Sequence, residues 1–128
     1  MRVLIEELTV RRDLRGAVFE PLEGHRLPEQ RNVHVVLTEP GGIRGNHYHR
    51  YATEVATVAG PTLVRYREGE HIEDRIVAEG EVVMFRFPPG VPHALRNIGE
   101  KENLLVVFST DALDRAAPDV VREVLIER

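Results

Sequence analysis

The chain has 128 residues, 42% hydrophobic and 30% charged, which suits one domain with a single core and differs from the profile of a disordered chain. Seventeen basic against 21 acidic residues leave a formal charge of -4 with no long run of either sign, so no nucleic-acid partner is expected, because a duplex binder needs a basic stripe. Cysteine is absent, which excludes disulfides and thiolate metal sites and leaves imidazole and oxygen as metal donors.

No apolar run approaches the roughly 20 residues that span a bilayer, and the N-terminus lacks the apolar core of a signal peptide. A cytoplasmic protein with no membrane partner is expected. Ten Gly and eight Pro imply many turns between many short strands, so the expected class is all-β. In chain order, Val3 to Leu8 reads as a strand without an obvious partner, which suggests that it completes a neighbour's sheet in a homodimer. Val33 to Thr38 is the next strand and stops at the Pro40-Gly41-Gly42 turn. Glu54 to Ala59, Thr62 to Tyr66, Arg75 to Val77, Glu81 to Phe87, His93 to Asn97 and Leu104 to Ser109 follow, separated by Gly- and Pro-rich turns. Short strands at this spacing predict a sandwich or closed barrel in one domain over 1–128. Pro118 to Ile126 reads as a short C-terminal helix with Pro118 at its start, although its valines would also suit a terminal strand.

The histidines are the informative residues. His47 and His49 are two apart, so on a strand both point to one face while Tyr48 points to the other. A turn over Arg50 to Thr53 would bring Glu54 back to that face on an antiparallel neighbour. His93 follows the turn-forming segment Pro88-Pro89-Gly90-Val91-Pro92. Imidazole with carboxylate suits zinc, iron, manganese, nickel or cobalt, and three histidines with one carboxylate leave a coordination position open. His25, His34 and His71 taken singly read as hydrogen-bonded core or surface residues.

The spacing Gly41-x5-His47-x-His49-x4-Glu54-x5-Gly60 resembles the first cupin motif, and Pro88-x-Gly90-x2-His93-x3-Asn97 resembles the second. The resemblance implies an RmlC-like jelly-roll barrel, with its core over about residues 30–110. It also implies one divalent metal held by His47, His49, Glu54 and His93. Some barrels of this superfamily use the same histidines as acid and base without metal.

A narrower resemblance runs from about Asp13 to Val124. Asp13-Leu14-Arg15-Gly16-Ala17-Val18-Phe19-Glu20 and Arg44-Gly45-Asn46-His47 are similar to segments of the dTDP-4-keto-6-deoxyhexose epimerases and ketoisomerases. Gly45-Asn46-His47-Tyr48-His49, the Pro-Pro-Gly segment through His93 and Asn97, and Ala117-Pro118-Asp119 resemble the zinc-binding cupin domain of capsular-polysaccharide nucleotide-sugar reductases. Zinc is therefore the first metal implied, and a nucleotide-linked 4-keto-6-deoxy sugar is the substrate implied. Epimerisation or ketoisomerisation needs a base near the carbon and a positive group near the oxygen.

The metal or Arg44 suits the second role; Arg44 also suits a diphosphate clamp or a solvated surface position. Tyr66, His34 and Glu39 are candidates for the base, and His34 is also a candidate substrate-binding residue. Without metal, His47 or His49 becomes the natural base. A metal-dependent dioxygenase and a non-catalytic sugar-binding cupin are compatible with the same residues.

Overall fold

The computed structural model describes residues 2–112 and 116–128. Its strands are β1 (Leu4–Glu7), β2 (Arg11–Asp13), β3 (Gly16–Val18), β4 (Asn32–Thr38), β5 (Ile43–His49), β6 (Glu54–Ala59), β7 (Thr62–Glu68), β8 (His71–Val77), β9 (Val82–Phe87), β10 (His93–Asn97), β11 (Asn103–Ser109) and β12 (Val120–Arg122). Two five-stranded sheets, β1-β9-β6-β11-β4 and β12-β5-β10-β7-β8, stack face to face, and β2 with β3 forms a separate hairpin. All named pairings are antiparallel. This is the expected all-β jelly-roll architecture. No helix among the described residues is long and apolar enough to cross a membrane.

Alternation along the strands accounts for the packing. Ala56, Val58, Phe85, Phe87, Leu105 and Val107 of the first sheet share a buried cluster with Val64, Tyr66, Val77 and Leu95 of the second. Strand β6 runs along the middle of its sheet and is covered on both sides. Its second face, with Val55, packs beside Met84 and Phe108 under Leu22. Thr57 donates its hydroxyl to the Pro21 carbonyl at 2.6 Å, so its polar atom is satisfied where it is buried.

The structure departs from the sequence expectations at several places. Pro118 to Ile126 is not helical: Val120–Arg122 forms β12 and pairs with β5 from Val120 opposite His49 to Arg122 opposite His47. The β-branched Val120 and Val121 favour the extended form, and the open edge of β5 supplies the backbone partners. Strand β1 finds its partner within the chain, with Leu4 to Glu7 opposite Arg86 to Val83, so it offers no argument for completing a neighbour's sheet. Strand β8 begins at His71 rather than Arg75. It lies at a solvated sheet edge where acidic residues are tolerated, and Arg65 grips Asp74 at 2.7 and 2.9 Å. The segment Asp13 to Gly16 turns the β2–β3 hairpin, with Asp13 Oδ1 accepting the Arg15 N–H at 2.8 Å.

Candidate metal centre

A cavity of about 490 Å³ opens between the sheets, and His47, His49, Glu54 and His93 lie on its wall. Strand β5 carries the first two, the start of β6 carries Glu54, and the start of β10 carries His93. His47, Glu54 and His93 each offer one donor atom, all within 4.8 Å of one another. His49 joins through Glu54: its Nε2 is 2.7 Å from Glu54 Oε2.

The β5 backbone is irregular where it needs to be. His47 pairs with His93, but Gly45 pairs with Ala94, so β5 uses one residue more than β10 over this step. Asn46 is the extra residue, at φ 59°, next to Gly45 at φ 82°. The bulge switches the alternation, so Arg44 lines the same cavity as His47 although the two are three residues apart. A Cβ on Gly45 would lie 2.7 Å from the His93 carbonyl oxygen, which is why this position has no side chain. Asn46 turns away from the cavity. Its amide donates to the Ile126 carbonyl at 3.0 Å, and its Oδ1 accepts the N–H groups of Leu125 and Ile126 at 2.8 and 3.0 Å.

The ring nitrogens of His93 and His49 face acceptors on both sides. His93 Nδ1 donates to the Val91 carbonyl at 3.0 Å, which puts the lone pair of the neutral ring on Nε2, 2.8 Å from Glu54 Oε1. His49 stands between carboxylates, with Nδ1 3.5 Å from Asp119 Oδ2 and Nε2 2.7 Å from Glu54 Oε2; that Nε2 is buried and lacks the alignment of a hydrogen bond. The Nε2 atoms of two rings thus converge on one carboxylate, an arrangement that requires either protons on those nitrogens or a cation shared between them. The donor chemistry fits a divalent transition metal.

Electrostatics separate the two β5 histidines. Burial, followed by the neighbouring His93, lowers the His47 pKa to about 4, so its ring is neutral at physiological pH. For His49, burial lowers the pKa, but the carboxylates of Glu54 and Asp119 together outweigh it and the net direction is up. Burial opposes ionisation of Glu54, yet contacts with His49 and His93 hold its pKa well below the usual carboxylate range. Phe87 stacks on His93 with centroids 4.1 Å apart and planes 3° apart, fixing the ring from behind.

The other expected site residues divide. His34 lines the cavity, with Nδ1 3.4 Å from Asn32 Nδ2. Arg44 lines it too, donating to the Leu37 carbonyl at 3.0 Å and to Thr38 Oγ1 at 3.3 Å. Tyr66 does not belong to the lining. It shares the inward face of His93, its cross-strand neighbour, but packs in the core against Phe87 at 6.1 Å, with Glu68 and Glu73 among its nearest charges. Glu39 is exposed outside the lining. Sequence reasoning misses Asp119, which lines the cavity beside His49; the Ala117-Pro118-Asp119 segment is visible in the sequence only as a resemblance without a role.

Comparison with known proteins agrees with this architecture. A probable oxalate decarboxylase of Arthroderma benhamiae is 27% identical over 114 residues, covering 88% of this chain and 23% of that protein. The capsular polysaccharide assembling protein CapF of Staphylococcus aureus superposes with a TM-score of 0.69 at 24% identity, over 92% of this chain and 33% of CapF. QdtA, a sugar 3,4-ketoisomerase from Thermoanaerobacterium thermosaccharolyticum solved in complex with TDP, gives 0.71 at 18% identity, over 94% of this chain and 88% of QdtA. The chain thus spans about a quarter of the oxalate decarboxylase and a third of CapF. These likenesses establish an RmlC-like cupin fold. With residues 11–121 matching its profile, the chain belongs to the polysaccharide biosynthesis C-terminal domain family.

Proposed function

We propose that this cupin is a metal-dependent isomerase that moves a proton next to the ketone of a nucleotide-linked 4-keto-6-deoxy sugar, as an epimerase or ketoisomerase. The observation that carries the reading is the convergence of His47, Glu54 and His93, with His49 against Glu54, on the wall of a cavity large enough for a sugar. The likeness to QdtA, a sugar ketoisomerase solved with TDP, supports the substrate class. The ion, with zinc first, is held by His47, His49, Glu54 and His93; when bound it supplies a positive charge that polarises the ketone oxygen.

Arg44, the one arginine among the described lining residues, takes the diphosphate or the developing oxyanion. His34 lies on the same lining outside the cluster, where it contacts substrate or moves the proton. A metal-free mechanism with His47 as base is disfavoured by its lowered pKa, since a ring that protonates only near pH 4 is a weak proton acceptor. Tyr66 lies outside the cavity lining and has no part in this reaction. The reading includes a cytoplasmic location, in keeping with a chain free of cysteine. It also includes a homodimer, supported by the apolar outer face of edge strand β4, where Val33, Val35 and Leu37 are 56%, 63% and 53% exposed.

The test is solvent exchange. In deuterated water, a dTDP- or UDP-4-keto-6-deoxyhexose should acquire deuterium at C3 before equilibrium is reached. Arg44→Ala should slow this at least tenfold, equivalent to about 1.4 kcal/mol, while Tyr66→Phe should stay within about twofold. Metal-loaded protein that exchanges neither nucleotide sugar would contradict the reading and favour a different cupin chemistry, such as a dioxygenase, or a sugar-binding module.

A further inference from the structure

Asp119 is not one of the four metal-ligand candidates, yet its surroundings single it out. Its carboxylate accepts three consecutive backbone N–H groups: Arg50 and Tyr51 at 3.1 Å to Oδ1, and Ala52 at 3.0 Å to Oδ2. The next N–H, of Thr53, goes to Thr110 Oγ1 at 3.0 Å. Every N–H of the turn between His49 and Glu54 therefore has an acceptor, three of them on one carboxylate. The same carboxylate lies 3.5 Å from His49 Nδ1, and both side chains are largely shielded, at 14% and 18% exposure. The contact is longer than a hydrogen bond, but once Nε2, 2.7 Å from Glu54, is given to a cation, the negative charge of Asp119 favours a ring that carries its proton on Nδ1.

The segment that delivers Asp119 is itself anchored to β5. Strand β12 pairs with His47 to His49, the Arg50 N–H also reaches the Asp119 carbonyl at 3.1 Å, and the Glu123 N–H reaches the Asn46 carbonyl at 2.8 Å. The carboxylate is thus fixed relative to the strand whose histidine it faces.

We propose that Asp119 is the positioning residue of this site: it fixes the turn that sets the distance between His49 and Glu54, and with the ion bound it holds the His49 proton on Nδ1, leaving Nε2 to the ion. The inference rests on the metal reading for the ring and on geometry alone for the turn. Asparagine is the informative replacement. It keeps the shape but has one acceptor oxygen, and its amide would donate to His49 Nδ1, driving the ring proton to Nε2, where it blocks ligation.

The experiment has two arms on the full chain. In the first, competition with a chromogenic chelator measures zinc affinity, and Asp119→Asn should weaken it by about 10- to 100-fold. In the second, long-range ¹⁵N–¹H correlation on zinc-loaded protein reads which nitrogen of His49 carries the proton. Wild type should show Nδ1–H and Asp119→Asn should show Nε2–H, a change that loss of turn stability alone would not produce. A wild-type ring protonated on Nε2 overturns the inference, as does a variant whose zinc affinity stays within twofold of wild type. Should Asp119→Asn fail to fold, the wild-type tautomer still decides. If wild type binds no zinc, the metal reading fails, and hydrogen exchange of the Arg50, Tyr51 and Ala52 amides decides the role of Asp119 in the turn: faster exchange in Asp119→Asn upholds it and unchanged exchange overturns it.

Discussion

Strands β6 and β5 illustrate two ways in which one sequence builds a sheet. Strand β6 is regular and buried, with neighbours on both sides paired residue for residue and side chains packed on both faces. Strand β5 is bulged, passes through two consecutive positive-φ residues, and carries polar side chains toward a cavity. The first is held by apolar burial, which is non-directional and tolerant of detail. The second is held by particular hydrogen bonds from the C-terminal segment, through Asn46 and Asp119. Apart from Glu54 at its start, the first region thus supplies stability, and the second supplies most of the polar groups of the candidate site.

Core truncation should give the largest effect on stability. Phe85 is fully buried on β9, beside β6, and Phe85→Ala should lower unfolding free energy by about 3–5 kcal/mol in urea titration. Native protein that remains should lose less metal affinity than a change on β5 causes, since Phe85 supplies no ligand and reaches His93 only through Phe87. A stability change under about 1 kcal/mol would show that the stabilising core lies elsewhere.

The converse change belongs on β5. Gly45→Ala forces a side chain onto φ 82° and toward the His93 carbonyl. The conformation alone costs about 1–2 kcal/mol, and relieving the contact must shift His47 or His93. Metal affinity measured by chelator competition should therefore fall at least tenfold, while stability falls less than for Phe85→Ala. Intact affinity would mean that the bulge does not aim the ligands.

How much of the molecule is legible in its sequence follows the same division. The regular strands are readable because their apolar and β-branched residues alternate between Gly and Pro turns. The grouping of His47, Glu54 and His93, with His49 beside Glu54, is readable because a spacing of two on a strand fixes a common face and because both histidine segments resemble cupin motifs. Three features are not. Residue spacing gives a face but not the depth along a barrel, so it leaves Tyr66 on the face of His93 without its place behind Phe87. The bulge at Asn46 depends on a tertiary contact with Leu125 and Ile126, far away in sequence. Asp119 acts on a turn about 70 residues earlier, and its segment reads as helix because Pro118 and spaced valines fit that period as well as a strand.

A smaller effect separates the two histidines of β5 by pH in metal-free protein. The folded-state pKa of His47 is depressed, so between pH 6.5 and about 4 the unfolded chain takes up a proton that the folded chain refuses. His47 therefore makes stability fall as pH drops through that window. For His49 the folded-state pKa is raised, so its contribution is fully present below 6.5 and is lost as pH rises through the folded value. Urea midpoints measured from pH 4 to 8 should show opposite slopes on the two sides of pH 6.5. His47→Gln should flatten the acid limb, and an unchanged limb would assign the effect to other groups.

That His47, His49, Glu54 and His93 form one metal centre is tested most directly by elemental analysis of protein purified without chelator. The expected result is close to one transition-metal ion per chain, with zinc the leading candidate, and loss of most of it in His47→Ala. Wild-type protein that is native and metal-free, and whose thermal unfolding is unmoved by added zinc, iron or nickel, would contradict it.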